Sequence, residues 1–220
     1  MAATRRSEAP PSDKRLGVLA AGRRVFVSQG YLGASMDAVA ATAGVSKRTV
    51  YQYFTDKESL FSAVVLDTVD RGYEFFAPHI RALAEAADVE EALRANSRLT
   101  LAGVMRPEIL QMRRLVIAEA ERFPDVGRAF YERSWGRTLA LLAQTFQRLH
   151  DRGVLRVPHP ERSAHLYTWL VVSIPANRVA FLGDAATYTP DELDELADEA
   201  TRVFLAAHQP SPQRRRRSTN

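Results

Sequence analysis

Between residues 35 and 60 the chain reads SMDAVAATAGVSKRTVYQYFTDKESL, and its polar side chains fall where a double helix could be gripped. Ser46 stands at the head of a short helix that ends near Phe54. Val50 and Phe54, four apart, share the face turned inward, with Val45 entering below them. The outward positions are then Lys47, Arg48, Thr49, Tyr51, Gln52 and Tyr53. Their ammonium, guanidinium, amide and hydroxyl groups suit phosphate oxygens and base edges in a major groove. A plain solvated face is the competing reading, and two outward tyrosines on so short a helix speak against it. Other chemistries lack their residues. The chain has no cysteine, which excludes a disulfide scaffold, a zinc ribbon, an iron–sulfur cluster and a cysteine nucleophile. It contains no G-x-x-x-x-G-K-[ST], G-x-G-x-x-G, G-x-S-x-G or H-E-x-x-H. Glu161 and His165 have metal-ligand spacing, but no second histidine pair joins them, so neither a metal nor a cofactor is expected.

The elements that must hold these residues are helices. No stretch alternates usefully at the strand period, and 3.6-residue spacing recurs with Pro or Gly between segments. The first helix is expected over 14–29, with Leu16, Leu19, Ala20 and Phe26 on one face and Gly30 as its stop. Ser35 caps a short helix over 36–43, broken by Gly44, and Ser46 caps the next. Val45 and Val50 have the spacing of a hydrophobic staple about that second cap. Thr55 or Asp56 opens a longer helix over 57–77, closed by Pro78. Further helices are expected from an Asp88 cap to 104, and over 107–122, 124–150 and 160–182, with a kink at Pro175. The last begins at Thr189-Pro190-Asp191-Glu192, a capping box with Pro at the first helical position, and reaches 207. The fold class is therefore all-α, with about nine helices. Two of them form a helix-turn-helix inside an N-terminal three-helix domain.

Charge divides the 220 residues unevenly. Residues 1–60 hold nine Lys/Arg against five Asp/Glu, residues 61–207 hold 17 against 21, and the tail adds Arg214 to Arg217. A basic front on an acidic body fits a polyanion binder with a second module. The expected organisation is an arm over 1–13, a helix-turn-helix domain over 14–60, a helical domain over 61–208 and a basic tail over 209–220. The arm and tail, rich in Pro and polar residues, read as disordered. Arg5 and Arg6 are followed by no apolar stretch of signal-peptide length. The longest uncharged apolar run, 166–176, is far short of the ~20 residues a membrane span needs. No membrane partner is expected, and a cytoplasmic location is.

Segment 30–61, GYLGASMDAVAATAGVSKRTVYQYFTDKESLF, resembles the DNA-binding domain of TetR-like bacterial transcriptional regulators. The likeness is carried by Gly30-Tyr31, the capped second helix, Ala43-Gly44-Val45-Ser46-Lys47, Thr49, Tyr51, Tyr53-Phe54, Lys57-Glu58 and Leu60. It implies a dimeric regulator, most simply a repressor, that holds a palindromic operator in double-stranded DNA and is released by a small-molecule effector. On the matching positions, Ser35 corresponds to a hydroxyl that caps the second helix beside a phosphate. Ser46, Lys47, Thr49, Tyr51 and Tyr53 correspond to recognition-helix residues that touch DNA. Lys57 corresponds to a lysine that meets a phosphate from the start of the fourth helix, a good anion site. Arg48 departs from the glycine many members carry there, and a long guanidinium reaches either a guanine edge or another phosphate.

Segment 114–131, RLVIAEAERFPDVGRAFY, resembles the C-terminal domain of an AefR-like subgroup, and the family places its effector pocket among the middle helices. Candidate effector residues are Met105, Met112, Arg113, Glu119, Tyr131, Trp135, His165 and Trp169, for a small and largely apolar ligand. Ordinary core packing is the competing reading of each Met and aromatic. The last helix carries Leu193, Leu196, Ala197, Ala200, Val203, Phe204 and Ala207 as one apolar stripe. In the resembling family the last two helices build an intermolecular four-helix bundle, so Leu193, Leu196, Ala200, Val203 and Phe204 are the expected homodimer face. The competing reading packs the stripe within its own chain. A small helical enzyme, or a helical adaptor that uses the same motif for protein contacts, are the alternatives. Both predict no sequence-specific DNA complex.

Overall fold

A computed structural model of the chain describes residues 13–183 and 186–210. The expected arm up to residue 12 and the basic tail from residue 211 lie outside the described residues. Helices run over Asp13–Gly33 (α1), Met36–Ala43 (α2), Lys47–Tyr53 (α3), Lys57–Ala82 (α4), Val89–Val104 (α5), Pro107–Glu119 (α6), Pro124–Tyr131 (α7), Arg137–Asp151 (α8), Pro160–Leu182 (α9) and Pro190–His208 (α10). The described residues contain no strand. The expected nine helices are all there. The one read as 124–150 is divided into α7 and α8 by a π-helical turn, Glu132–Gly136.

Start signals act as their chemistry requires. Asp88 Oδ1 accepts from Glu91 N at 3.0 Å. At α10, Thr189 Oγ1 accepts from Glu192 N at 3.2 Å while Thr189 N donates to Glu192 Oε2 at 2.7 Å, a closed capping box. Those bonds hold the Glu192 carboxyl below the usual carboxylate range. Pro78 does not stop α4 as expected. The helix continues to Ala82, because Ala77 and Ile80 around the proline are buried and that packing outweighs one missing N–H bond. Pro175 likewise lies inside an α9 that is helical throughout its described length.

Contacts group the chain into two units. Of the described residues, one comprises those up to Thr68 together with Leu115–Phe130, and the other comprises Val69–Arg114 and those from Tyr131 on. The first unit is built around aromatic rings. Phe61 lies edge-on to Phe26 at 5.2 Å and to Tyr31 at 5.1 Å, and Phe123 reaches Tyr31 at 4.6 Å. The buried face of α1 is Val18, Leu19, Ala21, Val25 and Phe26, shifted from the expected one, with Leu16 and Ala20 only half-buried. Gly22 lets α1 approach α4: a Cβ there would lie 3.0 Å from Val64 Cγ2.

The second unit packs α5, α8, α9 and α10 around Leu93, Leu101, Phe146, Leu149, Tyr167, Val172 and Phe204. Its core also contains polar bonds. Tyr167 OH donates to Leu93 O at 3.1 Å and accepts from Asn96 Nδ2 at 3.0 Å. Ser97 Oγ lies 2.7 Å from both Tyr167 OH and Thr201 Oγ1. Such bonds exist only in one register of α5, α9 and α10, so they specify the packing more than they strengthen it. Burial pushes the Tyr167 phenol up to about 12.

Candidate nucleic-acid interface

Two side-chain caps set the site. Ser35, with extended backbone, accepts from Ala38 N at 3.1 Å and opens α2. Ser46 accepts from Thr49 N at 3.1 Å and opens α3. Between them Gly44 sits at φ 66°, a left-handed conformation that favours glycine, and its N–H closes onto Ala40 O and Ala41 O. The Arg24 guanidinium on α1 donates to Thr42 O at 3.4 Å, placing a cation at the carbonyl end of α2.

The face of α3 is as its spacing predicts. Val50 and Phe54 are buried and Val45 is half-buried. Lys47, Arg48, Tyr51 and Gln52 are exposed, and Thr49 and Tyr53 are half-buried. Lys47 Nζ lies 2.8 Å from Asp37 Oδ1 on α2. That hydrogen bond raises the Lys47 ammonium above its ordinary value. Both partners are well exposed, so the pair is weak and open to exchange for a phosphate. Asp37 carried no sequence signal of its own. Only the fold brings it to Lys47.

Lys57, the expected phosphate contact at the start of α4, also lies against the end of α1. Its Nζ donates to the carbonyl oxygens of Tyr31 at 2.8 Å, Ala34 at 2.9 Å and Leu32 at 3.4 Å. The sequence shows the charge and its position at a helix start, but not that three carbonyls converge on it.

The expected dimer face is turned largely into its own chain. Ala200 and Phe204 are buried inside their own chain, and Leu193 and Leu196 pack against the same core, leaving only Val203 well exposed. Phe204 stacks on Phe146 at 5.1 Å and on the His208 ring at 4.1 Å. Five exposed apolar side chains lie on α9: Leu166, Leu170, Ile174, Phe181 and Leu182, with Phe181 87% exposed. The run 166–176 is apolar on nearly every side, so the sequence offered no way to choose its outer face.

Of the effector candidates, the structure brings Trp135 and Trp169 together, with centroids 5.2 Å apart and both rings half-buried. Met105 and Arg113 are half-buried, while Met112 is core. Tyr131 and His165 stand on the surface. Two buried oxygens that sequence reasoning missed, Asn96 Oδ1 and Thr168 Oγ1, have no hydrogen-bond partner. Among the described residues no cluster of His, Asp and Glu could hold a metal ion, and no helix is long and apolar enough to cross a membrane.

Residues 18–64 match the family of bacterial regulatory proteins, tetR family, and residues 91–210 match the AefR-like transcriptional repressor, C-terminal domain. A protein of Mesorhizobium loti assigned to the TetR-family transcriptional regulators is 37% identical, with TM-score 0.86 over 92% of this chain and 100% of that one. The flavonoid-responsive regulator FrrA is 29% identical, with TM-score 0.67 over 90% of this chain and 98% of that one. The HTH-type transcriptional activator FasR of Mycolicibacterium smegmatis is 46% identical over 67 residues, 30% of this chain and 31% of that protein. The chain therefore aligns with only about a third of that curated relative's length.

Proposed function

The chain belongs to the tetR family of bacterial regulatory proteins, a family of DNA-binding transcriptional regulators, and on that premise we propose a ligand-released repressor. It binds a palindromic operator as a homodimer, with one α3 in the major groove of each half-site. Residues 14–60 carry operator binding, and residues 61–208 carry effector binding and dimerisation. The observation that carries this reading is the two-sided α3: Val50 and Phe54 buried, and Lys47, Arg48, Tyr51 and Gln52 turned out. Ser46, Thr49 and Tyr53 complete the contact set on that helix, and Ser35 presents the N-terminus of α2 to a phosphate. Repression over activation follows the description of the C-terminal domain, an AefR-like transcriptional repressor.

The second copy is seated on the exposed apolar face of α9, Leu166, Leu170 and Ile174, with Val203 of α10 at its side. Two-fold symmetry about that face sets the recognition helices of a dimer against two half-sites. The effector is small and largely apolar, held near the Trp135–Trp169 pair, and FrrA's flavonoid response is in keeping with an aromatic ligand. Release then requires that the ligand prefer the arrangement of the dimer that does not fit DNA.

A gel shift on DNA upstream of the protein's own gene, repeated with a panel of lipophilic compounds, tests the whole reading. A sequence-specific shift that one compound abolishes, with a change in tryptophan fluorescence, is the expected result. An absent shift over the whole upstream region would return the chain to the enzyme or adaptor readings.

A further inference from the structure

Asp37 carries a charge opposed to the ligand its helix would meet. It is the second residue of α2, two places after the Ser35 cap, and its side chain is 65% exposed. A capped helix start favours anions, and the proposed function offers this one to a phosphate. A carboxylate there helps α2 in the free protein but repels the same phosphate in a complex. Its partner is Lys47, the first residue of α3, whose Nζ lies 2.8 Å from Asp37 Oδ1 and 3.0 Å from Oδ2. Both carboxylate oxygens therefore engage one ammonium across the Gly44 turn, and that bond raises the Lys47 ammonium above its ordinary value. The motif does not need the pair to form. Ser35, Gly44 and Ser46 already fix both helix starts and the turn through bonds of their own, and an exposed ion pair adds little stability.

We propose that Asp37 competes with DNA phosphate for the Lys47 ammonium, an attenuator inside the interface that weakens binding to every sequence alike and leaves base preference to the outward side chains of α3. An unpaired lysine that meets a phosphate releases a cation condensed on the DNA. Lys47 must first give up a carboxylate, which then takes up a cation of its own, so the exchange yields less affinity and less salt dependence. The proposal rests on α2 and α3 being the DNA-contacting pair, while the Lys47–Asp37 bond is a property of the free protein.

Asp37→Asn keeps the shape of the side chain and removes its charge. Titrated over a salt series, it should bind operator and unrelated duplex DNA more tightly by a common factor, roughly three- to tenfold in about 0.1 M salt. Its slope of log K against log salt should be steeper by about one unit. In a Lys47→Gln background the same substitution should give less than half that gain on a logarithmic scale, since no ammonium is left to free. In the DNA-free protein, the Lys47 ammonium followed by NMR should titrate at lower pH in Asp37→Asn than in the wild type. The proposal is overturned if Asp37→Asn binds no more tightly than the wild type, or if its slope is unchanged. A gain undiminished without Lys47 would make Asp37 a simple repulsive charge, and a gain on operator alone would make it a reader of sequence; either overturns the proposal, as does a Lys47 that titrates alike in both proteins. Should the wild type bind no duplex DNA, the operator reading fails and the proposal with it, although the NMR titration still shows whether the pair forms.

Discussion

Helices α3 and α9 are both half-buried, yet they leave opposite chemistry outside. On α3 Val50 and Phe54 point in, and Lys47, Arg48, Tyr51 and Gln52 point out. On α9 Leu166, Leu170 and Ile174 are among the exposed residues, while Ser163, Tyr167 and Thr168 are buried beside Val171, Val172 and Val179. The interiors differ as well. The first unit closes on Phe26, Tyr31, Phe61 and Phe123, whereas the core of the second contains the bonded Asn96, Ser97, Tyr167 and Thr201. A surface meant for a hydrated polyanion needs long polar side chains over a rigid apolar base. A surface meant for a second protein copy needs unspent apolar area, and its own core must then be fixed by something more directional than apolar contact.

The strongest way to break this contrast is at Phe204. If α10's stripe faced a partner, truncating it would alter association and spare the monomer. With Phe204 buried against Phe146, Tyr167 and His208, Phe204→Ala should instead destabilise folding by ~3–5 kcal/mol. Urea denaturation at several protein concentrations measures it, and a loss confined to the concentration dependence would restore α10 as the interface.

Next in size is Ile174→Glu, which places a charge in the exposed α9 face. Association should weaken by at least ~2 kcal/mol, the scale of an interface hot spot, with helix content preserved. Light scattering that still finds a folded dimer would move the interface elsewhere. On the polar side, Arg48→Ala should cost ~1–3 kcal/mol at one base pair per half-site and relax preference there. Titrations on singly substituted operators show it. A uniform loss on every sequence would make Arg48 a phosphate clamp.

The smallest effect is invisible at neutral pH. Tyr167 ionises more readily in the unfolded chain than in the core, where its phenol is pushed up to about 12. The raised value means that its stabilising effect is complete below the unfolded phenol's pKa near ~10 and is lost as pH rises toward the folded value. Alkaline unfolding curves should show this loss, and Tyr167→Phe should remove it while weakening folding at all pH by the unpaired partners, ~1–3 kcal/mol. An unaltered alkaline profile in Tyr167→Phe would remove the polar core from the contrast.

How much of this was legible depended on whether a signal was local. The caps at Ser35, Ser46, Asp88 and Thr189 each act on the amide three residues on, and the sequence shows them. The face of α3 was legible because Val50 and Phe54 are apolar and their neighbours are not. The stripe on α10 revealed that a face is buried, but periodicity carries no information about what buries it. The partners of Lys57 and Lys47 were hidden for the complementary reason: a charge in a sequence names no partner, and theirs are set by how the helices meet.

The bonds that fix the second unit join distant parts of the chain: Asn96 meets Tyr167 across 71 residues, and Ser97 meets Thr201 across 104. Those of the helix-turn-helix stay short, Lys47 to Asp37 across 10 and Lys57 to Tyr31 across 26. Loop closure slows with separation, so the local bonds of the helix-turn-helix close sooner than the polar bonds of the second unit. As the chain leaves the ribosome, α1 to α3 are complete early, but Phe123 is still unmade when Tyr31 and Phe61 emerge. A nascent chain therefore carries its DNA-reading face before the ring that finishes the core beneath it, and long before α10 arrives to close the other unit.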